Sequence, residues 1–196
     1  MGSKYNKYAV ILALIMEVVL IYTLATSFIY NNTKTLWLSV LAIVCIFLPF
    51  IISSISNKKK LNLPSTFNLV SIVFLFSAQF FGEINNFYTK FWWWDLMLHA
   101  IFGIYMVIVS LFIIKNVFRK EIEISKNRFT LFTVIFAFSF AVSLGTIWEA
   151  FEFSGDFLFK TGMVKGGIED TLTDLIVKII ASLFTSIYFY LKNRES

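Results

Sequence analysis

Asp95 and His99 stand four residues apart in the run Trp92-Trp93-Trp94-Asp95-Leu96-Met97-Leu98-His99. On a helix that spacing stacks the two side chains on one face, one turn from each other. Glu149 and Glu152 share a face within Ile147-Trp148-Glu149-Ala150-Phe151-Glu152, and Asp170, Asp174 and Lys178 fall on one four-residue stripe. Carboxylates joined by one imidazole suit Mg²⁺, Mn²⁺, Fe²⁺ or Zn²⁺. Asp95, His99, Glu149, Glu152 and Asp174 are therefore the candidate metal ligands, with Glu149 or His99 as candidate general base toward a metal-activated water. Glu83, Asp170 and Lys178 complete the polar set. Were the acids to meet without a cation, like charge would force some of them to hold protons. His99, Lys178 or a loop Lys or Arg is the other available source of positive charge.

Simpler roles compete for several of these residues. Asp95 and Asp170 sit where a first helical turn is expected, and a carboxylate there caps free N–H groups and suits the dipole. Asp174 and Lys178 have the spacing of an ordinary ion pair along one helix. Trp92, Trp93, Trp94 and Trp148 fit an interfacial aromatic belt. Glu149 and Glu152 resist such readings best, because the span containing them is expected to end at about residue 152. An acid at a helix C-terminus opposes the dipole, and ionisable groups at membrane depth usually face a cavity, a partner or a pathway.

The elements that must position these residues are membrane helices. The 196 residues are 58% hydrophobic and 15% charged, with a mean hydropathy of +0.78, which places the chain in the membrane class. Six stretches are long and apolar enough to span a bilayer core in helix: roughly 8–30, 36–56, 66–83, 94–115, 130–152 and 170–191. The expectation is an all-α polytopic bundle forming one integral membrane domain over 1–196. Lys4 and Lys7 before the first apolar run resemble a secretory signal, but the run is long and contains Glu17, so it reads as a retained span. Pro49 falls inside the second span and is a possible kink. The single cysteine, Cys45, lies in an apolar stretch and excludes an internal disulfide and a thiolate metal site.

Charge orients the spans. With the N-terminus inside, Lys4, Lys7, Lys58, Lys59, Lys60, Lys115, Arg119, Lys120, Lys126, Arg128, Lys192 and Arg194 fall on the inner side. Only Lys34, Lys90, Lys160 and Lys165 fall outside, so the positive-inside rule puts both termini in the cytoplasm. The basic residues thus act as topology signals with some attraction for anionic lipid, and nucleic acid is not an expected partner. Under this topology Glu83, Asp95, Glu149, Glu152, Asp156, Glu169, Asp170 and Asp174 gather at the outer ends of spans three to six. The 153–169 segment beside them holds Gly155, Gly162, Gly166 and Gly167 and reads either as a lid or as a flexible turn.

Taken in order, these motifs resemble a known family. Phe81-Gly82-Glu83 with Asn86-Phe87-Tyr88, Trp93-Trp94-Asp95 with His99 and Gly103, Trp148-Glu149 with Glu152, and Gly166-Gly167 with Asp170-Thr171 and Asp174 are similar to the bacterial membrane proteins typified by YjdF, a family of unknown function. The resemblance covers about residues 76–185 and implies a multi-pass protein of the bacterial inner membrane. The chain differs from better-known members in having no histidine near Phe80 and Phe81. A remoter similarity is to VanZ-like proteins, which also set an Asp-x-x-x-His pair before a Glu and a paired-Asp helix. Neither resemblance supplies a reaction. Three functions remain open: a metal-assisted membrane enzyme acting on a lipid or lipid-linked group, a proton- or ion-coupled transporter or flippase, and a structural or accessory protein whose polar cluster locks helices together.

Overall fold

The computed structural model describes residues 6–61, 63–117, 126–159, 164 and 166–194, all in helix or short connections, with no strand among them. Among the described residues six helices are long and apolar enough to cross a membrane, as the hydropathy of the sequence predicts. The helices are α1 (Lys7–Ile29), α2 (Thr33–Lys58), α3 (Phe67–Phe76), the short α4 (Phe87–Lys90), α5 (Trp94–Val117), α6 (Lys126–Phe159) and α7 (Ile168–Arg194). They fall into two compact units, Met1–Trp94 and Asp95–Ser196.

In the first unit, Asn6 and Asn32 cap α1 and α2 by accepting from the backbone N–H of Tyr8 and Thr35. Between them Asn31 turns the chain at φ 54°, a left-handed conformation that asparagine tolerates. Lipid offers no hydrophobic drive for helix association, so close packing and interhelical hydrogen bonds must supply it. Accordingly Ala9, Ala13 and Leu20 of α1 meet Ala42 and Ile46 of α2 and Ile72 and Phe76 of α3. The Ser53 hydroxyl of α2 also donates to Asn68 Oδ1 of α3 at 2.6 Å. Helix α2 continues through Pro49, which is buried among its neighbours.

The third span changes character partway. After α3 the backbone widens into a π-helix over Ser77–Ile84, a rare form that tends to mark functional segments. It ends at Asn85, with Asn86 at φ 58°. The Tyr88 ring then lies against Gly82, where no Cβ could be accommodated. Trp94 packs edge-on against Phe81 and Phe87, so it is a packing residue, whereas Trp92 is exposed as an interfacial tryptophan would be.

The second unit contains α6, α7 and α5 from Asp95 onward. Its apolar core is Val107, Leu111, Val134, Ala137 and Ala141, with Met106, Phe189 and Tyr190 against them. Helix α6 is longer than its apolar pattern predicts, running to Phe159 rather than to about 152. Glu149 and Glu152 thus lie inside the helix, not at its C-terminus, and the expected conflict with the dipole does not arise. Much of the expected glycine-rich connection is also helix, Gly155 included. Gly162, Lys160 and Lys165 lie outside the described residues, as do Lys4, Arg119 and Lys120.

The orientation expected from charge is open to direct measurement. In a Cys45→Ser background, Lys34→Cys and Glu169→Cys, both at exposed positions, are expected to react with an impermeant maleimide on intact cells. Lys59→Cys and Asn127→Cys, also exposed, are expected to react only after the membrane is opened. Labelling of Asn127→Cys on intact cells would overturn the alternation of spans four to six.

Candidate metal centre

Asp95 stands in the first turn of α5, and one helical turn carries His99 back toward it. Their side chains meet with His99 Nε2 at 3.2 Å from Asp95 Oδ1. Helix α7 brings Asp174 to the same nitrogen, its Oδ2 at 3.3 Å. One donor atom from each of Asp95, His99 and Asp174 lies within 4.8 Å of the other two. Asp174 and His99 are buried and Asp95 is partly exposed, so the cluster has a dry side and an open side.

One imidazole nitrogen carries at most one proton, so it cannot give two carboxylates a full hydrogen bond each. Asp174 Oδ1, also buried, has no hydrogen-bond partner at all. The separations suit a different occupant. An ion held at about 2.0–2.2 Å by each ligand sets neighbouring ligands roughly 3.0–3.5 Å apart, the range in which both oxygens stand from Nε2. Two of the three separations fall in that range, so these residues form a group that could hold a metal ion.

Glu149 is engaged elsewhere. Its Oε1 accepts from the Lys178 ammonium, and these two side chains are only 4% and 2% exposed. Two glycines make room for this pair. A Cβ on Gly145, one turn before Glu149, would meet Lys178 Cδ at 3.0 Å, so the lysine stem runs over the bare backbone of α6 to reach its acid. A Cβ on Gly103 of α5 would meet the Lys178 carbonyl oxygen at 2.8 Å and Ser182 Oγ at 2.9 Å. The expected pairing of Lys178 with Asp174 along α7 is thus replaced by a bond across to α6. Glu149 is likewise placed with the lysine, outside the Asp95–His99–Asp174 group of donors. Glu152 is half-buried and feels the charges of Glu149, His99, Lys178 and Asp95, so it borders both groups.

The remaining expected site residues are more scattered. Asp170 lies in the first turn of α7 with its Cβ close under Gly166. Asp156 accepts from the Val164 backbone N–H at 2.8 Å and ties the end of α6 to the following segment. Glu83 belongs to the π-helix of the first unit. Glu17 is buried on α1 of that unit.

Two features of α7 extend the site beyond the residues expected. Thr171 Oγ1, three residues before Asp174 on α7, is buried without a hydrogen-bond partner. In addition, every buried position of α7 among the described residues is polar: Asp174, Lys178, Ser182 and Ser186. Ser182 lies on the stripe of Asp174 and Lys178 already apparent in the sequence, and Ser186 is one four-residue step beyond it. Nothing in the spacing distinguishes Thr171 from Thr173, whose hydroxyl is satisfied by the Glu169 carbonyl.

Fold and site together define a multi-pass helical membrane protein with an acid–histidine cluster buried between two of its helices. The chain belongs to the family described as predicted membrane protein (DUF2238), whose model matches residues 11–195. An uncharacterised protein of Thermotoga maritima is similar to it, 30% identical over 139 residues; the match covers 68% of this chain and 65% of that protein. The VanZ-like similarity gains no support from either match. No solved structure matches the chain.

Proposed function

We propose that the protein is a metal-assisted enzyme of the bacterial inner membrane, acting on a lipid or lipid-linked group within one membrane domain over 1–196. The observation that carries this reading is the position of His99 Nε2 between Asp95 Oδ1 and Asp174 Oδ2 at 3.2 and 3.3 Å. When bound there, a divalent ion would supply Lewis-acid stabilisation and a more acidic water. Asp95, His99 and Asp174 hold the ion, and the partly exposed Asp95 marks the open side from which substrate and water enter. Glu152 replaces Glu149 as the general base, since Glu149 is held by Lys178 and Glu152 borders the cluster without being part of it. The Lys178–Glu149 pair neutralises one of the four nearby acids, so the cluster's two carboxylates and Glu152 carry less repulsion than four free acids would.

Protein purified in detergent with added divalent metal, then desalted and analysed for elements, is expected to retain about one ion per chain. His99→Asn and Asp174→Asn are each expected to lower occupancy at least tenfold, on the scale on which metal sites respond to altered shells. Retention of the same ion by both variants would remove the basis for the enzyme reading and leave a polar structural lock.

A further inference from the structure

We infer that the centre takes a hard, oxygen-preferring cation, Mn²⁺ or Mg²⁺ rather than Zn²⁺, and that Thr171 is an additional ligand or positions one. This rests on the metal reading of Asp95, His99 and Asp174. The three paired donors alone do not choose among divalent ions, since two carboxylates and an imidazole suit Zn²⁺ as well as Mn²⁺.

The choice comes from two oxygens that those contacts leave over. Asp174, 3% exposed, uses Oδ2 toward His99 and leaves Oδ1 buried and unpartnered. Thr171 Oγ1 is buried and unpartnered as well. Residues three apart on a helix are surface neighbours, so both oxygens belong to the same turn of α7.

The hydroxyl of Thr171 is not idle for want of local acceptors. Elsewhere on α7, Thr173 and Thr185 donate to the carbonyls four residues back, of Glu169 and Ala181, each at 2.8 Å. Thr171 forgoes that bond, as do Ser182 and Ser186 further along α7, but only Thr171 shares the turn of the unpartnered Asp174 Oδ1. A buried hydroxyl and a buried carboxylate oxygen left without partners are costly in a protein interior, and a cation answers both. The resulting set is one nitrogen with at least four oxygens, counting both oxygens of Asp174. Zn²⁺ prefers four ligands, with nitrogen and sulfur among them. Five or six ligands dominated by oxygen are the sphere of Mg²⁺ and Mn²⁺.

The test uses the full chain in detergent with Mn²⁺ as the probe, followed by electron paramagnetic resonance, and with Zn²⁺ and Mg²⁺ as competitors. Wild type is expected to bind about one Mn²⁺ per chain and to release it only to a large excess of Mg²⁺, which competes for the same oxygen ligands. Thr171→Val, which keeps the shape and removes the hydroxyl, is expected to weaken Mn²⁺ binding about tenfold, with a smaller loss for Zn²⁺. Thr171→Ser is expected to restore Mn²⁺ binding, and it serves as the folded comparison should the valine variant be unstable. Undiminished Mn²⁺ affinity in Thr171→Val, or loss in Thr171→Ser with an unchanged melting temperature, would overturn the role of Thr171 while leaving the centre itself standing. Zn²⁺ outbinds Mn²⁺ at most nitrogen- and oxygen-donor sites, so the comparison is made between variants. A Thr171→Val loss for Zn²⁺ as large as that for Mn²⁺ would overturn the hard-ion assignment alone. Wild type that binds none of the three ions would overturn the metal centre and this inference with it.

Discussion

Lys178→Met is expected to destabilise the protein by about 3–5 kcal/mol, the usual cost of leaving one member of a buried ion pair uncompensated. Methionine fills nearly the same volume over Gly145, so the loss isolates charge from packing. Glu149, 3% exposed, would be left without the ammonium that neutralises it. Glu149→Gln should be costly for the complementary reason, since it strands a lysine that is 2% exposed. Restoring balance by combining Lys178→Met with Glu149→Gln should recover most of the stability, because a pair removed whole can be nearly neutral where half a pair is not. Thermal melting of the four proteins in one detergent checks the cycle. If the double variant is as unstable as the sum of the single ones, the pair is not the origin of the effect. Ion retention by the double variant would further separate the lysine–glutamate bond from the Asp95–His99–Asp174 cluster.

Gly103→Ala is expected to cost about 1–3 kcal/mol, the range for forcing extra volume into a well-packed interior. The added methyl would lie 2.8 Å from the Lys178 backbone oxygen, and backbone yields only if α5 and α7 separate. Gly145→Ala makes a useful contrast. There the methyl meets the Lys178 Cδ at 3.0 Å, part of a flexible stem that can rotate aside. A smaller melting change is expected, together with a displaced ammonium and a weakened bond to Glu149. Equal melting shifts for the two substitutions would contradict the distinction between a backbone and a side-chain obstacle.

Hydrophobic length made the six spans legible, because a bilayer core demands about 20 apolar residues whatever they pack against. Helical spacing likewise made Asp95 and His99 legible as a pair, since one turn relates them wherever α5 lies. Local spacing misled at Lys178, where Asp174 stood at the right separation and the true partner was Glu149, 29 residues away on another helix. Only the packing of α6 on α7 decides between them. The end of α6 was misplaced because Glu149, Glu152 and Asp156 interrupt its hydrophobicity without interrupting its hydrogen bonding. The π-helix over Ser77–Ile84 had no visible signal, because a shifted hydrogen-bond register leaves the hydrophobic pattern of the span intact.

The polar interior face of α7 bears on how the chain enters the membrane during synthesis. A charged residue near the centre of a spanning helix opposes insertion by about 2.5–3.5 kcal/mol, and α7 carries Asp174 and Lys178 inward from its acidic first turn. Released from the translocon alone, it would face lipid with a bare ammonium and a bare carboxylate. Helix α6 precedes it and holds Glu149, the acid that neutralises that lysine. The two helices are therefore expected to leave the translocon as a hairpin, with α6 retained at the lateral gate until α7 arrives, which makes the last span dependent on the one before it for its place in the bilayer.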